Sequence, residues 1–113
     1  MITEEIRAAI KERAATDDEW AYGVQKCCNK EIEILSRNME DTIRFLENEC
    51  TADEFSWLSE IFDDVTEKTQ SQAFVDCLYK VAKKYPLETK KYYIDRVIQF
   101  AEETLLPPEK NKQ

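Results

Sequence analysis

Apolar residues recur at helical spacing along nearly the whole chain. Ile6, Ala9, Ile10 and Arg13 keep that period behind Thr3, and Glu4 and Glu5 sit where a helix dipole favours negative charge. A first helix ending near residue 15 is predicted. Thr16-Asp17-Asp18-Glu19 has the form of a capping box, in which a threonine hydroxyl and the glutamate three residues on satisfy free backbone N–H groups reciprocally. It predicts the start of a second helix, with Trp20, Val24, Cys27, Cys28 and Leu35 on its inner side. The alternation across Glu31-Ile32-Glu33-Ile34-Leu35 would also suit a locally extended segment, so residues 31–38 are open between the two.

Residues 39–49 form a third helix with Met39, Ile43 and Leu46 on one face. Thr51-Ala52-Asp53-Glu54 is a second capping box, and the stripe Phe55, Leu58, Ile61, Phe62 and Val65 predicts one continuous helix behind it. Thr69 or Ser71 opens the fifth helix, which buries Phe74, Leu78, Val81 and Ala82. It stops at Tyr85-Pro86, because the residue before proline avoids the helical region. Pro86 suits the first turn of a sixth helix that carries Ile94, Val97, Ile98, Ala101 and Leu105, with residues 92–94 open to a break. The expected fold is therefore all-α, about six helices in three stacked hairpins, HEAT-like or solenoid-like. Residues 1–106 make a single helical domain and residues 107–113 a polar tail.

Composition supports helices over turns: one Gly and three Pro in 113 residues leave little material for tight reversals. No window approaches the roughly 18 apolar residues of a membrane span, and residues 1–10 do not read as a signal peptide, so the cytoplasm is the expected compartment. Four cysteines without a CxxC spacing are expected to be reduced core side chains. No histidine is present to complete a zinc site, and no metal or other cofactor is expected. Enzyme chemistry lacks its usual parts too: no histidine base and no glycine-rich phosphate loop occur. Asp17-Asp18 and Asp63-Asp64 do not converge on one atom, since helix neighbours point about 100 degrees apart.

Charge is uneven. Residues 1–70 hold 8 basic and 18 acidic side chains, net −10, and residues 71–113 hold 8 and 6, net +2, for −8 overall. An acidic body repels nucleic acid and anionic lipid and attracts a basic protein. The lysines Lys80, Lys83, Lys84, Lys90 and Lys91 are expected to lie scattered and solvated near helix ends.

Thr16-Asp17-Asp18-Glu19-Trp20 returns 35 residues later as Thr51-Ala52-Asp53-Glu54-Phe55, a period that suits stacked helical hairpins, although two capping boxes also arise by chance. If the repeat is real, Asp18, Tyr22, Gln25 and Asn29 form one outward line and Asp53, Trp57, Glu60 and Asp64 its counterpart. Aromatics set among acids and amides suit a protein-recognition face, because large rings bury much area at low entropic cost. Trp57 lies at the edge of its stripe, so packing on a neighbouring helix is equally open for it.

The stretch Asp53-Glu54-Phe55-Ser56-Trp57-Leu58-Ser59-Glu60-Ile61-Phe62-Asp63-Asp64, then Phe74-Val75-Asp76-Cys77-Leu78 and Lys84-Tyr85-Pro86-Leu87-Glu88-Thr89-Lys90-Lys91-Tyr92, resembles the immunity proteins of bacterial contact-dependent growth inhibition systems. The resemblance covers roughly residues 40–105. Where such proteins often have Asn after the last tyrosine this chain has Tyr93. The resemblance implies a cytoplasmic protein that binds and blocks the C-terminal toxin domain of a cognate protein, commonly a nuclease and therefore basic. A helical-repeat adaptor without toxin neutralisation is the alternative, and a metal-dependent enzyme a third class.

Overall fold

The computed structural model describes residues 2–107, and every regular element among them is helical. The elements are α1 (Ile2–Ala15), α2 (Ala21–Ser36), α3 (Met39–Asn48), α4 (Ala52–Leu58), a 3₁₀ turn (Ser59–Ile61), α5 (Phe62–Thr69), α6 (Gln72–Lys84), α7 (Pro86–Lys91) and α8 (Ile94–Glu103). Residues 31–36 are helical, so the local alternation at 31–35 yields to the period of the longer segment. The expected tail lies outside the described residues apart from Pro107. No helix among the described residues is long and apolar enough to cross a membrane.

The two threonine boxes behave differently. Thr51 accepts from the Glu54 backbone at 3.1 Å while the Glu54 carboxylate accepts from the Thr51 backbone at 2.9 Å, so this box forms as expected. Thr16 makes no box. Its hydroxyl turns back to the Glu12 carbonyl at 2.7 Å, serving the end of α1, and residues 16–20 are a loop. The second helix therefore starts four residues later than the box predicts, with Trp20 rather than Thr16 at its N-cap and no side-chain capping bond. Trp20 is correspondingly 58% exposed and not an inner residue; its ring lies over Gly23, the one glycine, where an added Cβ would collide with the ring.

The stripe Phe55, Leu58, Ile61, Phe62 and Val65 is buried as the pattern predicts, but spread over α4, the 3₁₀ turn and α5 rather than one helix. Ser56 and Ser59 donate their hydroxyls to carbonyls three residues back, Asp53 at 2.7 Å and Ser56 at 2.6 Å. These local bonds compete with the regular helical ladder and accompany the tightening to 3₁₀ geometry. Further on, Ser71 rather than Thr69 caps α6, and Tyr85-Pro86 ends it. Tyr93 adopts a left-handed conformation with φ 54°, which places the break between α7 and α8.

Packing follows from these breaks. α1 lies along α2 and α6 along α8, giving the first and third expected hairpins. The second does not close: α3 lies mainly against α6, α4 against α1, and α5 against both α2 and α8. Short helices with bends between them let the Phe55, Phe62 and Phe74 rings meet at 5.2 and 6.2 Å in the centre. The cluster around them runs from Ile2 to Ala101. Cys27, Cys50 and Cys77 are buried and Cys28 is half-buried, none in a disulfide.

Candidate functional site

Arg13 organises the surface in which the predicted residues meet. It leaves the last turn of α1 on the inner side and is only 7% exposed. Nε and Nη2 donate to the two Glu60 oxygens at 2.8 and 3.1 Å, and Nη1 donates to Asp18 at 3.0 Å. Its guanidinium carbon stands 5.4 Å from the centre of the Trp57 ring. A planar fork of donors is suited to this combination of a bidentate carboxylate, a second acid and an aromatic face. The hydrogen bonds to Glu60, and then that to Asp18, hold the guanidinium even more firmly charged than usual, against the effect of burial.

Three predicted residues, Asp18 in the α1–α2 loop, Trp57 in α4 and Glu60 in the 3₁₀ turn, are thus joined through a residue whose sequence pattern placed it only in a helix stripe. Trp57 is half-buried and packs against the edge of the core as well as under Arg13. Asp53, Ser56, Trp57 and Glu60 line a groove of about 320 Å³ together with Tyr92, the C-cap of α7. Tyr92 was not among the predicted site residues; it reaches the groove because α7 packs against α4. Asp53 is exposed and Tyr92 is 48% exposed.

The other predicted residues stand apart from the groove. Tyr22 is 69% exposed, its ring 6.0 Å from that of Trp20, and Gln25 donates to Asn29 at 2.8 Å on the outside of α2. This line is as solvent-facing as expected. Asp64 is exposed in the first turn of α5 and does not line the groove, since the 3₁₀ turn interrupts the helical line on which it was aligned with Glu60. Partial burial, then Asp63 and Glu67, push its carboxyl upward.

Next to Glu60 lies a feature that the sequence pattern did not bring forward. Glu31 of α2 is completely buried, and neither carboxylate oxygen has a hydrogen-bond partner among the described residues. Burial, reinforced by Glu60 and opposed by Arg13, pushes its carboxyl up to about 8. Cys28 precedes it by one turn, with its thiol pushed up to about 11 chiefly by burial. The donor atoms of Cys28, Glu31 and Glu60 all lie within 4.8 Å of one another. One signal was present: Glu31 stands four residues after Cys27 and four before Leu35, within the stripe that α2 buries.

The basic part of the chain forms a different surface. Lys83, Lys90 and Arg96, with Tyr79, Pro86 and Tyr93, border an open hollow of about 480 Å³. Lys80 pairs with Glu47 at 3.5 Å, and Lys84 donates to the Glu47 carbonyl at 3.1 Å, so part of the lysine cluster is spent within the fold. Comparison with protein-family models, with curated proteins and with solved structures finds no match to the chain.

Proposed function

We propose that the chain is an immunity protein that binds a basic toxin domain, of the nuclease class, and blocks it by occupying its phosphate-binding surface. The observation that carries this reading is the groove in which Asp53 and Glu60 flank Trp57 and Tyr92. Two large rings offer desolvated anchors, and the carboxylates around them supply acceptors for lysine and arginine. Asp18, whose side chain is 80% exposed, extends the acidic rim past Arg13. A nuclease needs positive charge to hold phosphates, so the surface that binds nucleic acid is also one that an acidic face can fill. Inhibition of this kind needs no catalytic group on the inhibitor, and the cytoplasm is where it would act.

Two arms test the reading. Co-expressed with the protein encoded beside it, the chain should co-purify in a stoichiometric complex and suppress the neighbour's toxicity. Its association rate should also fall at least about tenfold between low and high salt, because steering between charged faces is screened beyond about 8 Å at physiological ionic strength. A complex that forms at a salt-independent rate, or that leaves toxicity untouched, would favour a helical adaptor instead.

A further inference from the structure

The geometry points to a site for one divalent transition-metal ion of the zinc class, held by Cys28, Glu31 and Glu60, the last of which also lines the Trp57 groove. Glu31 supplies the strongest argument. A buried carboxylate requires either a hydrogen-bonding partner or a cation, and among the described residues Glu31 has neither bonded to it. The nearby guanidinium does not serve: three of its five N–H groups are directed at Glu60 and Asp18, and none bonds Glu31. A metal ion between the three donors would satisfy the Glu31 carboxylate directly.

The donor set fits such an ion. Cys28 and Glu31 lie three residues apart on α2 and so share one face of the helix, and Glu60 approaches from the 3₁₀ turn across it. Tetrahedral zinc at about 2.0–2.3 Å from sulfur and oxygen sets its donors about 3.5 Å apart, so three atoms within 4.8 Å need only small side-chain rotations to close on it. A thiolate among carboxylates selects zinc-like ions over magnesium or calcium, which take oxygen alone. A carboxylate has about four lone-pair positions, so Glu60 can hold the ion and still accept from Arg13, which then orients it from behind. One thiolate and two carboxylates balance a divalent ion together with the Arg13 charge. Glu60 also lines the groove and its side chain is 32% exposed, which gives the ion a path in and leaves a fourth position for water or a partner's side chain.

The test uses the free, full-length chain, so its outcome is independent of whether a toxin is bound. Reduced protein stripped with chelator is titrated with Zn²⁺ against a chromophoric competitor, and in parallel with Co²⁺. One equivalent of Zn²⁺ should bind with a Kd below about 1 μM and raise Tm by roughly 5 °C or more at saturation. Co²⁺ should show a thiolate-to-metal absorption band. Cys28→Ser should abolish that band, Cys28→Ser and Glu31→Gln should each weaken Zn²⁺ binding at least about tenfold, and Cys27→Ser, one residue away, should change neither. Cys28 is half-buried, so its serine variant keeps the test decisive if Glu31→Gln folds poorly. Absence of stoichiometric uptake, or uptake unchanged in folded Cys28→Ser or Glu31→Gln, would overturn the site.

Discussion

Arg13→Ala should lower the melting temperature by about 12 °C or more, the largest loss expected from any single charged residue in the chain. The side chain is 8% exposed and engages two carboxylates and a ring from three different elements. Truncation removes a buried stem, three charge-assisted hydrogen bonds and a ring contact together, which costs about 3 kcal/mol or more although the two carboxylates themselves reach solvent. For a domain of this size each kcal/mol corresponds to roughly 4–8 °C. Arg37 is the control. It also engages two carboxylates, Glu33 at 2.8 Å and Glu5 at 3.0 Å, but on an exposed surface, so Arg37→Ala should leave Tm almost unchanged. Thermal unfolding of both variants decides the matter, and equal melting of the two would show that the Arg13 cluster contributes no more than a surface ion pair.

Glu31→Gln should change the pH dependence of stability rather than stability at every pH. The Glu31 carboxyl is raised from an ordinary value near 4.5 to about 8 in the fold. The folded chain thus binds a proton that the unfolded chain has lost, and the associated stabilisation is fully present below about pH 4.5 and disappears as pH rises through about 8. A shift of this size corresponds to a loss on the order of 4 kcal/mol across that window. The neutral amide introduced by Glu31→Gln would resemble the protonated carboxyl and carry no such penalty. With chelator present, wild type and variant should melt together near pH 5, and the variant should exceed wild type by roughly 10 °C or more at about pH 9. Parallel melting curves against pH would mean that Glu31 reaches solvent or a partner when ionised.

Helices were legible because their signals are local. The Thr51 box, the Ser71 cap and the Tyr85-Pro86 stop each depend on atoms within four residues, and each forms. Thr16 carries the same local pattern as Thr51, yet it is close enough to the preceding helix to be used as that helix's ending. Two compatible uses of one motif cannot be separated without knowing which helix claims it. The 35-residue correspondence failed for the same reason: its first element is a loop, and the 3₁₀ turn breaks the line from Trp57 to Asp64. Asp53, Trp57 and Glu60 nevertheless share a groove, since they lie within two turns of one segment. Arg13, Tyr92 and Glu31 come to the site through contacts between elements distant in sequence. Arg13 and Glu60 are separated by 47 positions, and no periodicity links residues so far apart.

Most direct for the proposed inhibition is the affinity of the toxin-domain complex with the groove altered and the fold untouched. Trp57 and Glu60 are poor probes, because each also supports Arg13. Asp53 and Tyr92 are exposed, and among the described residues their hydrogen bonds run through the backbone. The double variant Asp53→Lys, Tyr92→Ala should therefore melt with wild type. Binding should weaken at least roughly a hundredfold, from the lost aromatic anchor and a reversed charge facing a basic surface, with loss of protection in cells. A double variant that binds the toxin domain as tightly as wild type would contradict the assignment of this groove as the inhibitory face.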